Sequence, residues 1–280
     1  MFALLCALAY GVSDFVGGFA SRRVSALRIV LLSYPVAMVA LTVMAAIVGG
    51  HITSPAIVYG FLAGVSSAFG VWWFYAALGA GPISVVSPLT AILVAGVPVV
   101  SGLVLGERPT PLAYVGIAVA LVAVFLVSHD TRDDDVLPHR FTKTVAWLTV
   151  GSGVAFGLSF VLIHQTPVES GLWPVVFGRI ASTLVILVAA AVSGNLHLPT
   201  GQARKLALTA AVIDTVANVA MLLALHASLL SLASVLISLY PAATVALAVV
   251  VLKERVTRSQ LVGMVLALVS IAMIAGAFPA

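Results

Sequence analysis

Ten stretches of predominantly apolar residues follow one another along the chain, approximately at 2–20, 27–48, 56–79, 82–105, 111–128, 144–163, 172–193, 205–226, 229–252 and 258–277. A helix needs roughly 20 such residues to cross a bilayer core of about 30 Å. Hydrocarbon offers no water to main-chain groups, so only helices and closed barrels cross it. The period-2 alternation of a barrel strand is absent. Charged residues make up 8% of the sequence and hydrophobic ones 62%, whereas a soluble domain carries roughly a quarter charged residues. The fold class is therefore an all-α integral membrane protein with about ten transmembrane helices.

The breaks between spans have turn chemistry: Ser21-Arg22-Arg23, Gly49-Gly50-His51, Gly79-Ala80-Gly81-Pro82, Gly106-Glu107-Arg108-Pro109, Gln165-Thr166-Pro167 and Gly194-Asn195. Several connections are short enough to make consecutive helices antiparallel neighbours. No Lys or Arg precedes Arg22 and Asp14 interrupts the first stretch, so residues 2–20 read as a retained helix rather than a cleaved signal. The one long polar segment, His129–Lys143, holds Asp133-Asp134-Asp135. Three aspartates allow a cation site; at the midpoint of the chain they read as part of a solvated linker. Cys6 is the single cysteine, which excludes an intrachain disulfide and a cysteine metal cluster. The formal charge of +4 comes from basic loop residues, which set topology, and does not point to nucleic acid.

A shift of 147 residues aligns Ser84–Ser128 with Ser231–Ala275 without a gap, with 14 of 45 positions identical. Glu107-Arg108 falls on Glu254-Arg255, Thr110 on Thr257, Gly116 on Gly263, and Ser84 and Ser87 on Ser231 and Ser234. Gly11-Val12 aligns with Gly153-Val154 at a slightly different offset. The chain reads as a duplicated five-helix unit: residues 1–128, a linker at 129–143, and residues 144–280. Five is odd, so the second half enters the membrane from the opposite side. Two inverted five-helix repeats are an arrangement associated with secondary transporters that bind solute near the midplane.

The half-repeat ending Leu-Gly-Glu-Arg in one copy and Leu-Lys-Glu-Arg in the other, with a glycine-bearing helix after it, resembles the EamA-type branch of the drug/metabolite transporter superfamily. Arg28, Arg179 and Tyr75-Ala76-Ala77-Leu78 fit the same pattern, although the second copy departs from it at Leu222-Leu223-Ala224-Leu225. The resemblance implies a multi-pass carrier of the cytoplasmic membrane, often an exporter of amino acids, metabolites or toxic compounds.

Ionisable groups within a bilayer are costly and by default functional. Asp14, with Tyr10 one turn away on its face, suits a cationic group or an exchanged proton. Asp214 and Asn218 are four apart and project from one side of span 8. Arg179 either snorkels to the interface or contacts solute. Among the consecutive aromatics Trp72, Trp73, Phe74 and Tyr75, at least one faces inward, and Trp72 and Tyr75 are the candidates. Tyr240, beside Pro241, completes the expected substrate-binding set. Pro88, Pro98 and Pro241 mark places where a helix bends or bares its backbone. Gly60 to Gly64, Gly102 to Gly106 and Gly153 to Gly157 permit close helix approach.

No two histidines have metal-site spacing beside a carboxylate, so neither metal nor cofactor is expected. Clustered acid–base groups are lacking, so neither is an enzyme. There is no Gly-x-x-x-x-Gly-Lys motif, so transport would draw on a proton gradient or the solute's own. The expected function is a secondary transporter, read as an exporter, of a small organic solute by alternating access at a central cavity. Its expected partners are that solute and membrane lipid. The alternatives are a lipid or lipid-carrier flippase and a non-transporting sensor or partner subunit, although these 280 residues include no soluble domain. The loops after odd-numbered spans hold almost all the Lys and Arg, and the opposite side holds Arg108. By the positive-inside rule both termini lie outside; the resemblance implies both inside.

Overall fold

A computed structural model describes residues 1–21, 24–80, 83–128, 142–194, 196–253 and 257–276. The linker with Asp133–Asp135, the Glu254-Arg255 pair and the side chain of Tyr75 lie outside the described residues. The helices are α1 (Phe2–Ser21), α2 (Ala26–Val48), α3 (Ser54–Ala80), α4 (Ile83–Val104), α5 (Pro111–Ser128), α6 (Lys143–His164), α7 (Trp173–Val192), α8 (Gly201–Ala227), α9 (Leu230–Ile237), α10 (Tyr240–Leu252) and α11 (Arg258–Gly276), with a 3₁₀ turn at Val168–Ser170. Among the described residues there is no strand.

Among the described residues nine spans, taking α9 and α10 together, are long and apolar enough to cross a membrane. The 20 residues of α1 also reach about 30 Å at 1.5 Å per residue. Large apolar side chains line outer faces: Val39, Val43 and Ile47, one turn apart on α2, are 59%, 53% and 79% exposed. Water would not tolerate such continuous patches on a monomer, and lipid does.

The ninth span is where the structure departs from ten uniform helices. Its helix stops at Ile237 and restarts at Tyr240, with Pro241 in the first turn of α10. Proline has no N–H to offer an upstream carbonyl and restricts the residue before it. Pro88 and Pro98 lie inside an unbroken α4, so of the three flagged prolines only Pro241 accompanies an interruption.

Two compact units form, and each takes helices from both sequence halves. The first comprises Met1–Ala68 with Leu162–His226, the second Phe69–Val161 with Ala227–Ala280. In the first, α2 packs on α7, and α3 crosses α7 at a tight contact. A Cβ on Gly60 or Gly64 would overlap the carbonyl of Pro174 or Gly178. At the ends of these helices Thr53 Oγ1 meets Ser170 Oγ at 2.9 Å, and His51 N–H donates to Glu169 O at 2.9 Å. His164 Nδ1 contacts Leu225 O at 2.6 Å and His226 Nε2 contacts Thr166 Oγ1 at 3.0 Å. Both histidines thus tie the end of α6 to the end of α8.

In the second unit, Gly153 and Gly157 let α6 approach Leu93 and Val97 of α4. Ser152 Oγ donates to Gly70 O at 2.8 Å, and Trp73 rather than Trp72 packs against α6, at Gly151. Gly102 leaves room for the Glu107 carboxylate, and Gly106 takes a positive φ of 99°. The two Glu107 oxygens accept the N–H groups of Leu230 (2.5 Å) and Ser231 (3.0 Å). The glutamate of the Leu-Gly-Glu-Arg motif therefore caps the start of α9, satisfying donors that no residue inside the helix can reach.

The pair α5 and α11 shows how the halves relate. On α5 the buried positions include Gly116, Ala120, Ala123 and Val127; on α11 they are Gly263, Ala267, Ser270 and Ile274. These are counterparts under the 147-residue shift. Gly116 packs against Met273 and Ile274, while Gly263 packs against Leu126 and Val127. When residue i touches j and the counterpart of i touches the counterpart of j, a two-fold axis lies between the elements. The start of each helix meets the end of the other, so the two run antiparallel and the axis is perpendicular to them. For membrane-spanning helices it lies near the membrane plane, which is the geometry of an inverted repeat.

A candidate solute site on α1, α7 and α8

The polar residues of the first unit converge although they come from separate apolar helices. Asp214 is the central residue of the 27-residue α8, so neither it nor a partner can reach the membrane surface. Arg179, on α7, places Nη2 2.5 Å from Asp214 Oδ2, with side chains 8% and 21% exposed. The guanidinium also lies over the Tyr34 ring of α2, 4.5 Å from its centroid. Burying either ion alone would be expensive; a charge-assisted hydrogen bond and a cation–π contact offset that cost. Arg179 does not snorkel, because its side chain points into the unit.

Asn218 folds back on its own helix, its Nδ2 donating to Asp214 O at 2.7 Å. Two contacts bind α1 to α8 on either side of the Asp214–Asn218 turn. Ser13 Oγ donates to Ala210 O at 3.2 Å, and Tyr10 Oη donates to Met221 Sδ at 3.5 Å. Asp14, one turn from Tyr10, is exposed and close enough to Asp214 for the carboxylates to act on each other. Cys6, one turn the other way, is fully buried. No three His, Cys, Asp or Glu side chains among the described residues form a metal-binding group.

The structure thus brings together five expected site residues: Tyr10, Asp14, Arg179, Asp214 and Asn218. It adds Tyr34, which carried no signal in an aromatic-containing apolar helix. Trp72 and Tyr240 belong to the second unit. Trp72 is 55% exposed and stacks on Phe69 with centroids 6.0 Å apart, and Tyr240 opens α10. Of Tyr75 only its place on α3 is described. The second unit also holds a small niche between Ala123, Val124, Val127, Leu239, Pro241 and Ala242. It is wholly apolar and too tight to admit water, so it offers a solute no polar contact.

The EamA-like transporter family matches this sequence over residues 1–129 and again over 143–276. The chain belongs to that family. Two matches, one on each side of the linker, agree with the duplication read from the 147-residue shift. A solved structure known only as "Crystal structure of protein" shares the fold, with a TM-score of 0.77 over 98% of each chain at 15% identity. No curated protein matches the sequence. This EamA-like chain is therefore a multi-pass membrane protein of a transporter family, built from two repeats.

Proposed function

We propose that the protein is a secondary transporter that exports a small organic solute across the cytoplasmic membrane by alternating access at a central cavity. The observation that carries this reading is the polar cluster itself. Tyr10, Asp14 and Tyr34 come from one half of the sequence; Arg179, Asp214 and Asn218 come from the other. Inverted-repeat carriers hold their solute where the halves meet, and a half with a counterpart related by a two-fold axis in the membrane plane has two equivalent ways to open. The reciprocal packing of α5 on α11 supports the same geometry, as does the family to which the chain belongs.

Within the cluster Arg179 and Asp214 serve as a fixed, mutually neutralised pair that holds α7 against α8. Asp14, which no described partner engages, is the group assigned to the solute. The test is flux in proteoliposomes against amino acids, metabolites and cationic drugs, with and without a pH gradient. The reading expects saturable movement of at least one solute class; flux no faster than in liposomes holding heat-denatured protein, for every class, would refute it.

A further inference from the structure

We infer that the transported solute carries a positively charged nitrogen and that Asp14 receives it. This rests on the transport reading above and narrows it to a substrate class.

The argument begins with where Asp14 points. On α1 the outward face is marked by Leu5 and Leu8, 46% and 58% exposed, and the inward one by Ala3, Cys6, Ala7 and Ser13, all buried. At about 100° per residue, Asp14 lies roughly 150° round the helix from the midpoint of Leu5 and Leu8. It stands on the buried side, next to Ser13 and in line with Tyr10, both bonded to α8. Yet it is exposed. A carboxylate that is exposed on the inward face of a membrane helix opens on a polar space and not on lipid.

Charge then decides what that space accepts. Arg179 is committed: its Nη2 is on Asp214, its face is on Tyr34, and it is almost fully buried. An anionic solute would find Arg179 already engaged. Among the described residues the charged neighbour whose field reaches Asp14 is Asp214, a like charge, and no hydrogen bond or ion pair engages Asp14. With both carboxylates ionised, the cluster of Asp14, Arg179 and Asp214 carries one net negative charge. A monocation makes it neutral, whereas a carboxylate would raise the charge to two negatives in a medium that screens them poorly. Tyr10 supplies an aromatic face one turn away on the same side of α1, suited to an ammonium or guanidinium group.

The test uses matched solutes in three series, aromatic, aliphatic and guanidino, each with an amine or guanidine, the corresponding zwitterionic amino acid, and the corresponding carboxylate. Flux is measured in proteoliposomes of the full chain for the parent, Asp14→Asn and Asp14→Glu. Melting of each purified variant checks folding. The expected result is flux of at least one cation, competition by the other cations and not by the carboxylates, and a loss of tenfold or more in Asp14→Asn. Asp14→Glu, which keeps the charge, recovers part of that loss. Transport of a carboxylate as fast as the best cation would overturn the inference, as would a folded Asp14→Asn that carries the cation like the parent; either would leave the transporter reading standing. Absence of flux for all nine solutes would overturn the inference too, while the transporter reading is decided by the wider panel above.

Discussion

Removing one member of the Arg179–Asp214 pair should destabilise the protein more than removing both. Both side chains are largely buried, 8% and 21% exposed, so Arg179→Gln leaves a carboxylate near the middle of α8 with no cation. Breaking a buried pair from one side costs about 3–5 kcal/mol, most of it the penalty for the stranded charge. Loss of the contact with Tyr34 adds about 0.5–2 kcal/mol. Asp214→Asn strands the guanidinium in the same way. The double variant Arg179→Gln, Asp214→Asn strands nothing. Two amides replace the pair, and the expected net loss is about 1–2 kcal/mol, the order of a few hydrogen bonds. The coupling between the sites should therefore exceed roughly 2 kcal/mol, more than tenfold in the folded-to-unfolded ratio at about 1.4 kcal/mol per decade. Unfolding of the purified protein in mixed micelles, followed by Trp fluorescence during titration with denaturing detergent, measures it. If the double variant were as unstable as the summed singles, with coupling below about 0.5 kcal/mol, the pair would not be the neutralising unit described above.

Gly64→Ala should separate α3 from α7, because its Cβ would overlap the Gly178 carbonyl, whereas Gly96→Ala meets nothing within 4 Å. The expected cost is about 1–3 kcal/mol for the first and a small gain or no change for the second, read by melting in detergent. Glu107→Ala should cost about 0.5–2 kcal/mol, as loss of a helix cap does, and speed amide hydrogen exchange at Leu230 and Ser231; equal protection in variant and parent would count against the cap. A single cysteine at Thr131 in a Cys6→Ser background should resist a membrane-impermeant maleimide in intact cells if the Lys and Arg count sets topology. Ready labelling would favour the orientation implied by the family resemblance.

Much of the fold was legible because lipid imposes a length on every helix. The spans, their glycine-rich breaks and the 147-residue repeat are all local or self-comparing patterns. Gly60 and Gly64, and Gly153 and Gly157, marked helix crossings before any partner was known. At Gly102 the space admits the Glu107 carboxylate, a neighbour that spacing alone cannot name. Asp14, Arg179 and Asp214 stood out individually as charges in apolar stretches. That Arg179 answers Asp214 was not legible, since they lie 35 positions apart on different helices and one sequence carries no contact information. Tyr34 was hidden for the opposite reason: a phenol draws no notice until a cation is found above it. The stop at Ser238-Leu239 was half visible, for Pro241 announced an interruption, but Pro88 and Pro98 announced the same in a helix that stays whole.

Counterflow tests the central claim most directly, because it separates a carrier that alternates from a channel or a silent membrane subunit. Proteoliposomes are loaded with unlabelled solute of the class found to move and diluted into a trace of the labelled form, with ionophores abolishing ion gradients. Alternating access predicts that the label rises transiently above its equilibrium level inside the vesicles, then falls. A monotonic approach to equilibrium, or no uptake beyond protein-free liposomes, would contradict it.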